Sequence, residues 1–501
     1  MNYIIGIDVG TTNTKAVLYD LNGHLLAKAS RSYRLYQDEI DQAEEDPEEI
    51  FQAVVEVLQA VIKCAGVEAQ NILAISWSAQ QHSLLALDQN FKPLTRVITW
   101  ADNRAMSVTQ KFKNSGQGLK FYHSTGLPIH PMGPIYKLFW LKEVDPELFR
   151  RTSYWVGIKE YIIWRLTGQL QIDESMAAST GLFNLNSLQW DQDILKTVGV
   201  RESQLPEVVP ITAAISGVHL EISRQLDLNP AIKIVMGATD GALSTLGIAG
   251  TQEKTLTINV GTSAAVREVV DQPILDSDAR LFCYPIVKGK YLVGGPINNG
   301  GIVFNWARET LLDGEAQAFD EVIKLACSAP AGSNGLIFYP YLGGERAPLW
   351  DADARGTFVG LNRNHSKADL IRSVMEGIIF NVYLVAQATK LDYTKILATG
   401  GFVQSDLSAQ ILADVFEQRI SIPTDSEAGC FAAMFIARLS LGFAKELSDI
   451  SNNFGSEKQY LPADKITDSY RELKQIFIRF AKNNTNLDHA LADYQRKYHK
   501  L

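Results

Sequence analysis

The first thirty residues alternate between apolar, β-branched runs and short polar turns. The runs at 3–9, 15–19 and 24–29 have the composition of strands, and glycine, threonine, asparagine and aspartate dominate the segments 10–14 and 20–23 between them. The Asn-Gly pair in the second turn favours a tight hairpin connection. The pattern therefore predicts three consecutive antiparallel strands at the start of the chain.

The hydrophobic period then changes from two residues to the spacing of a helix. Asp46 followed by Pro47 is a typical helix start, and apolar residues continue at helical spacing from Ile50 to Val61. Beyond this point predicted strands and helices alternate. Three strands followed by such alternation are typical of an α/β domain with a mixed sheet.

A phrase from the first hairpin returns in the second half of the chain. Residues 5–12 and 256–263 share the pattern Ile-(Asp/Asn)-Val-Gly-Thr-(Thr/Ser), which places Gly10 and Gly261 251 positions apart. Chance is the alternative, because strand–Gly–Thr–strand is a common local pattern. The half-chain spacing favours duplication and predicts two similar α/β domains, at 1–247 and 248–501, with a ligand cleft between them.

Composition narrows the class of protein. The 501 residues are 46% hydrophobic and 21% charged, which suits two or three folded domains. A net charge of −9 argues against nucleic acid or an anionic membrane as partner. The four cysteines are far apart, which argues against a disulfide scaffold or zinc module. With neither a signal peptide nor a membrane span in the sequence, we expect a cytoplasmic protein.

The repeated turn suggests phosphate chemistry. The sequence has no Walker A, G-x-G-x-x-G, H-E-x-x-H or G-x-S-x-G motif. This argues against P-loop NTPases, standard dinucleotide-binding folds, zincins and α/β-hydrolases. Gly10 would let the backbone approach a phosphate, Thr11 and Thr12 would donate hydrogen bonds, and Lys15 would add a positive charge. Asp8 suits Mg²⁺, which often takes a single carboxylate. A plain β-turn with solvated side chains is the alternative for this segment alone.

Two longer segments indicate a family. Residues 356–361 and 369–376 together, and residues 132–141, resemble the two signature motifs of the FGGY carbohydrate kinases, with one departure at Val144, where a polar residue is usual. The resemblance extends nearly end to end. It implies two ribonuclease H-like domains of the actin type, ATP and Mg²⁺ as cofactors, and a small sugar or polyol as phosphoryl acceptor.

The resemblance also implies roles for individual residues. Asp240, after the apolar strand 232–236, matches the catalytic base and lies near the metal, although locally it also reads as a helix N-cap. The predicted acceptor-binding residues, besides Asp240, are Gln81, His82, Trp100, Asp102 and Arg104. The predicted nucleotide-binding residues are Gly10, Thr11, Thr12, Lys15, Gly261, Thr262, Gly301, Asn305, Gly400, Gly401 and Ser405, and the predicted metal ligands are Asp8 and Asp240.

Several phrases are most similar to bacterial gluconate kinases, which predicts phosphorylation of gluconate to 6-phosphogluconate, with D-xylulose as the alternative acceptor. Arg104 is the candidate cation for the gluconate carboxylate, and a structural ion pair is its other interpretation. A non-catalytic regulator that binds ATP and sugar is a third alternative. It is disfavoured because Asp8, Asp240 and both Gly-Thr turns are retained. The oligomeric state stays open, with a homodimer among the alternatives.

Overall fold

The computed structural model describes residues 1–39, 41–312, 318–423, 427–453 and 457–498. The strands of this described part are β1 Tyr3–Val9, β2 Asn13–Asp20, β3 Leu25–Ser32, β4 Glu44–Glu45, β5 Ile72–Ala79, β6 Leu85–Leu87, β7 Val97–Ile98, β8 Tyr154–Val156, β9 Gln171–Asp173, β10 Phe183–Asn184, β11 Gln189–Trp190, β12 Glu207–Val209, β13 Ala214–Ser216, β14 Lys233–Thr239, β15 Thr255–Val260, β16 Ala264–Val270, β17 Phe282–Val287, β18 Lys290–Ile297, β19 Ile337–Tyr339, β20 Thr357–Val359, β21 Lys395–Thr399, β22 Ile420–Pro423 and β23 Glu457–Tyr460.

Its helices are α1 Pro47–Ala65, α2 Met106–Ser115, α3 Gln117–Thr125, α4 Pro134–Val144, α5 Pro146–Arg151, α6 Ile158–Thr167, α7 Glu174–Ala178, α8 Gln192–Val198, α9 Leu220–Leu226, α10 Asp240–Ala249, α11 Gly301–Leu311, α12 Phe319–Cys327, α13 Lys367–Thr389, α14 Asp406–Phe416, α15 Ala428–Ser440, α16 Asp464–Asn483 and α17 Thr485–Tyr498. Among the described residues, no helix is both long and apolar enough to cross a membrane.

The predicted N-terminal hairpins form one half of a six-stranded sheet, with the strand order β13-β14-β5-β1-β2-β3. β1 pairs antiparallel with β2 and parallel with β5, so the sheet is mixed as expected. Asp46 accepts hydrogen bonds from the first backbone N–H groups of α1, and Pro47 occupies the first helical position. The buried face of α1 packs on this sheet. The buried side chains of the helix and of the sheet form one hydrophobic core.

An irregularity in β14 determines which residue reaches the end of that strand. The pairing of β14 with β5 shifts between Val235 and Ala238, and Gly237 in the gap has a φ of +65°. A side chain at this glycine would collide with the carbonyl oxygen of Trp77, so the bulge requires glycine. After the bulge, Thr239 is the last residue of the strand and the next residue begins α10.

The second large sheet repeats the local plan of the first. Its order is β17-β18-β16-β15-β21-β22-β23. β15 pairs antiparallel with β16 and parallel with β21, as β1 does with β2 and β5. The predicted two-fold α/β plan of the actin-type ATPases is confirmed, and the duplicated phrase occupies the same position in both sheets.

Backbone contacts divide the chain into two compact units. The first comprises residues 1–252, 269–292 and 425–454, and the second comprises 253–268, 293–424 and 455–501. The predicted boundary near residue 247 stays a prediction. The return of later segments to the first unit is a feature that a division into sequence halves did not foresee.

Candidate active site

Asp240 lies at the junction of β14 and α10, where the sequence places a strand–helix turn. The capping interaction belongs to its neighbour: Thr239 Oγ1 accepts a hydrogen bond from the N–H of Ala242 at 3.3 Å. Asp240 Oδ1 accepts from the N–H of Gly241 at 2.7 Å, and the side chain is half-buried. Thr239 is therefore the N-cap of α10, and the N-cap interpretation of Asp240 is wrong.

Asp8 occupies the end of β1, with Lys15 opposite on β2 and Ser78 opposite on β5. The hydroxyl of Ser78 donates to Asp8 Oδ1 at 2.6 Å. Burial raises the pKa of Asp8, against the opposing effects of Ser78 and Lys15. Lys15 itself forms an ion pair with Glu427 Oε2 at 2.7 Å. The charge of Lys15, which was predicted to meet a phosphate, is thus paired with the carboxylate of Glu427, 412 residues away in the sequence.

The two candidate metal ligands lie at the same edge of the first sheet. Val9, Ala79 and Thr239 form one row across β1, β5 and β14. Asp8 precedes this row and Asp240 follows it. Carboxylate oxygens are the ligands that Mg²⁺ prefers, and the ion commonly uses one or two of them while keeping several waters. The donor set therefore fits Mg²⁺.

The first predicted acceptor segment follows β5. Gln80 N–H donates to the carbonyl of Val9 at 2.8 Å, so the segment starts beside the end of β1. His82 is buried with a φ of +67°, and its Nδ1 lies 2.7 Å from the carbonyl oxygen of Ser179. Gln81 Oε1 is buried and has no hydrogen-bond partner among the described residues. A buried acceptor atom of this kind is suited to a ligand hydroxyl.

The second predicted acceptor segment follows β7 and is held by ion pairs. Asp102 is 1% exposed, and its Oδ2 accepts from the N–H of Ala43 at 3.0 Å. Arg104 bonds both oxygens of Asp102 and also reaches Glu44. Burial opposes the charged guanidinium, but the bonds to these two carboxylates outweigh it and raise the pKa of Arg104. The structure thus gives Arg104 two carboxylate partners, and its predicted contact with a substrate carboxylate stays a prediction.

A chain of hydrogen bonds links this segment to the first Gly-Thr turn. Trp100 Nε1 donates to Thr11 Oγ1 at 2.8 Å, and Thr11 Oγ1 donates to Gln80 Oε1 at 3.2 Å. Gln80 Nε2 then donates to Glu45 Oε2 at 2.7 Å. Trp100 is half-buried and tied by its indole N–H, whereas Thr12 is exposed. One hydroxyl of the first Gly-Thr turn and both predicted acceptor segments therefore share a network.

The predicted nucleotide-binding residues of the second unit meet at a cavity of about 1000 Å³. Its wall contains Gly261, Thr262, Gly301, Asn305, Gly401 and Ser405, together with apolar side chains that include Phe304, Phe319 and Phe402. This volume is at the upper end of typical ligand sites. Six of the seven residues predicted for this side are thus brought together.

Gly400, the seventh predicted residue, is not in the wall of the cavity but directly precedes Gly401, which is. It has a φ of +99°, and a side chain there would lie 2.3 Å from the carbonyl oxygen of Val260. Ser405, predicted to bond the base, is the N-cap of α14, since its Oγ accepts from the N–H of Ser408 at 3.1 Å. The glycine is therefore required by the backbone, and the serine hydroxyl has a structural partner.

Three polar residues of this region were missed by the motifs: Gln80, Glu45 and Glu427. Gln80 directly precedes the predicted residue Gln81, but no role was predicted for it. Glu45 is buried, and burial raises its pKa to about 8. The acidic run 44–46 reads as a helix start, so nothing local distinguishes the one carboxyl that points inward. Glu427 had no signal at all, because its partner Lys15 is 412 residues away.

Comparisons with known proteins agree with the motifs. Residues 3–247 match the N-terminal domain of the FGGY family of carbohydrate kinases, and residues 256–440 match its C-terminal domain. Over 99% of this chain and 98% of the relative, the sequence is 39% identical to a gluconokinase of Bacillus subtilis.

Two crystal structures from Lactobacillus acidophilus are similar to nearly the whole chain. One, described as a gluconate kinase, has a TM-score of 0.93 and 46% identity and covers 98% of this chain and 99% of its own. The other, described as a ligand-bound xylulose kinase, has a TM-score of 0.94 and 46% identity and covers 97% of this chain and 99% of its own. With both of its domains matched and full-length relatives at this identity, the chain belongs to the FGGY family of carbohydrate kinases.

Proposed function

We propose that this carbohydrate kinase transfers the terminal phosphoryl group of ATP to gluconate, with 6-phosphogluconate and ADP as products. The observation that carries the proposal is the position of Asp240, a half-buried carboxylate at the first residue of α10, directly after strand β14. Gln81, whose buried Oε1 is free to accept a hydrogen bond, follows the neighbouring strand β5. A proton acceptor and a hydroxyl-binding group are the two things that the acceptor side requires.

The proposed step is a direct displacement at the terminal phosphorus. The acceptor hydroxyl oxygen forms the new P–O bond as its proton passes to the carboxylate of Asp240. The bond from the terminal phosphorus to the bridging oxygen breaks, and ADP leaves with that electron pair. Such transfers need little covalent help, because positioning and charge neutralisation supply most of the rate enhancement.

The phosphates need positive partners and backbone donors. Asp8 and Asp240 would hold Mg²⁺, which would neutralise charge on the phosphate oxygens. In the first unit, the turn at Gly10 to Thr12 would donate N–H groups to phosphate. In the second unit, the cavity at Gly261 and Gly401 would take the nucleotide, with its phenylalanines covering the base.

The choice of gluconate rests on sequence similarity more than on geometry. The B. subtilis relative is a gluconokinase, whereas of the two L. acidophilus structures one is of a gluconate kinase and the other of a xylulose kinase. Gluconate has a carboxylate that D-xylulose lacks, but the guanidinium of Arg104 already has two carboxylate partners. D-xylulose therefore stays the alternative acceptor.

An acceptor panel with coupled detection of ADP tests the proposal. Gluconate should give the highest kcat/KM, ahead of D-xylulose and well ahead of glycerol, and the Asp240→Asn variant should lose about 10²- to 10⁴-fold with every acceptor. A higher value for D-xylulose would overturn the choice of acceptor and leave the kinase. Binding of ATP and sugar without turnover in the wild type would favour the regulator.

The Arg104→Leu variant separates the two interpretations of this residue. A direct contact with the acceptor carboxylate would lower kcat/KM for gluconate about ten- to a hundredfold more than for a neutral sugar, as expected for one charge-assisted hydrogen bond. An equal loss for both acceptors would assign Arg104 to its ion pairs with Asp102 and Glu44.

A further inference from the structure

Lys137 is a fully buried lysine near the start of α4. Its neighbours on the helix are mostly apolar and buried, so the local pattern offers no reason for a charge. Its Nζ donates to the carbonyl oxygens of His82 at 2.7 Å, Thr99 at 2.7 Å and Ile98 at 3.4 Å. An ammonium group has three N–H donors, and here each has an acceptor.

The carbonyl groups of His82 and Thr99 belong to the two predicted acceptor segments, and that of Ile98 ends β7. His82 ends the segment after β5, and its φ of +67° is rare for a residue with a side chain. Thr99 begins the segment after β7, and its carbonyl also accepts from the N–H of Asp102 at 3.2 Å. The side chain of Lys137 thus bonds the strained turn at His82 in the first segment. It also bonds the turn that begins at Thr99 in the second segment.

The environment of Lys137 shows that this arrangement has an electrostatic cost. Burial lowers the pKa of the ammonium group to about 7, with the charge of Asp102 acting against this and that of Arg104 adding to it. An apolar side chain would avoid that cost but would leave the carbonyl groups without this donor. In some proteins a buried charged group is retained because its hydrogen bonds fix one specific geometry.

We infer that Lys137 is a positioning residue for the acceptor: by joining the carbonyl groups of His82 and Thr99, it sets the separation between Gln81 and Trp100. The inference rests on the proposed function, because these segments are taken to bind the acceptor. It does not depend on which sugar is bound. In the described part of the chain the Nζ of Lys137 donates to backbone carbonyl groups, so its proposed effect passes through the two segments.

The test compares Lys137→Met with Lys142→Met. Lys142 is on the same helix and donates to a single backbone carbonyl, that of Val198, at 2.7 Å, away from both segments. Lys137→Met should raise KM for the best acceptor at least about tenfold, as expected for displaced binding groups, and should change KM for ATP less than twofold. Lys142→Met should leave both KM values within twofold of wild type.

Hydrogen exchange supplies a readout that does not need turnover. Peptides that cover 80–84 and 98–104 should exchange faster in Lys137→Met than in wild type and Lys142→Met, while peptides of the second unit stay unchanged. Where Lys137→Met does not fold, Lys137→Arg retains donors of a different shape and should show the same rise in acceptor KM.

Unchanged acceptor KM in a folded Lys137 variant, or equal rises in the KM values for acceptor and ATP, would overturn the inference. Unchanged exchange in both peptides would also overturn it. A wild type that phosphorylates no acceptor would contradict the proposed function instead, and the exchange comparison would still decide whether Lys137 orders the two segments.

Discussion

The two Gly-Thr turns share a backbone plan but are held in different ways. In the first turn, Thr11 accepts from Trp100 and donates to Gln80, and the hydroxyl of Tyr33 donates to the carbonyl of Gly10. In the second, the carbonyl of Gly261 accepts from the N–H of Gly301 at 2.7 Å, and Thr262 is exposed at a large cavity. Backbone hydrogen bonds hold both turns, and side chains add further bonds to the first.

This difference suggests how a duplicated element acquires two roles. A turn fastened by side chains is coupled to whatever those side chains bind, here the proposed acceptor segments. The second turn is bonded through its backbone, which leaves its surface open. Its packing leaves no room for a side chain at the neighbouring Gly400. Substitutions of hydroxyl groups should therefore affect the first turn most, and substitutions of glycine should affect the second.

The largest expected effect is that of Gly400→Ala beside the second turn. At Gly400 φ is +99°, and an added Cβ would lie 2.3 Å from the carbonyl oxygen of Val260. The alanine variant should therefore have a free energy of unfolding that is lower by about 1–3 kcal/mol. Gly401→Ala is the matched control, because a side chain there would meet no atom within 4 Å. Thermal melts of the two variants and the wild type measure the difference.

Equal melting temperatures for the two alanine variants would contradict the dependence of the second turn on its backbone. Titration with ATP sharpens the result. If the nucleotide lies on Gly401 as proposed, the Gly401→Ala variant should melt like the wild type but bind ATP more weakly.

The next effect separates the hydroxyl groups of the two turns. Thr11→Val removes one member of the network and should raise KM for the acceptor about two- to tenfold, the value of one neutral hydrogen bond. Thr262→Val should leave that KM unchanged and raise only KM for ATP. Steady-state kinetics with each substrate varied in turn measures both, and a shift in tryptophan fluorescence confined to Thr11→Val would report the loss of the Trp100 bond.

The last effect concerns Glu45, at the far end of the first network. Burial raises its pKa from 4.5 to about 8, so the folded protein holds this proton more tightly than the unfolded chain. The resulting stability is fully present below pH 4.5 and is lost as the pH rises through about 8. Between pH 5 and 8.5 the melting temperature of the wild type should therefore fall relative to that of Glu45→Gln.

The amide variant keeps an oxygen for the Nε2 of Gln80 and has no proton to lose in this range. Melting temperatures that change in parallel with pH in the two proteins would show that Glu45 is ionised throughout. A melting temperature of the wild type that rises with pH relative to that of Glu45→Gln would contradict the prediction.

Local patterns predicted the framework of the site well. The three opening strands, the helix that starts after Asp46 and the junction at Asp240 depend on residues within a few positions of each other. The match of residues 255–263 to the first hairpin likewise predicted the plan of the second sheet. Such features follow from periodicity and turn chemistry, which the chain displays directly.

Contacts between distant residues were not predictable from these patterns. The three carbonyl partners of Lys137, the ion pair of Lys15 with Glu427 and the inward carboxyl of Glu45 each depend on tertiary packing. Arg104 is a clear example: one charge near a binding segment suits a ligand or an ion pair equally, and the ion pairs with Asp102 and Glu44 became visible only in the folded structure.

The return of residues 425–454 to the first unit has a consequence for synthesis. Helix α15, in this segment, packs against β1, β5 and α10. The ribosome must add residues 253–424 before it reaches that helix, which takes roughly 10–35 s at typical elongation rates. During this interval one face of the first sheet lacks its helix and is a surface that chaperones would recognise. Expression of residues 1–252 alone would make that transient state permanent and would favour aggregation over a folded half.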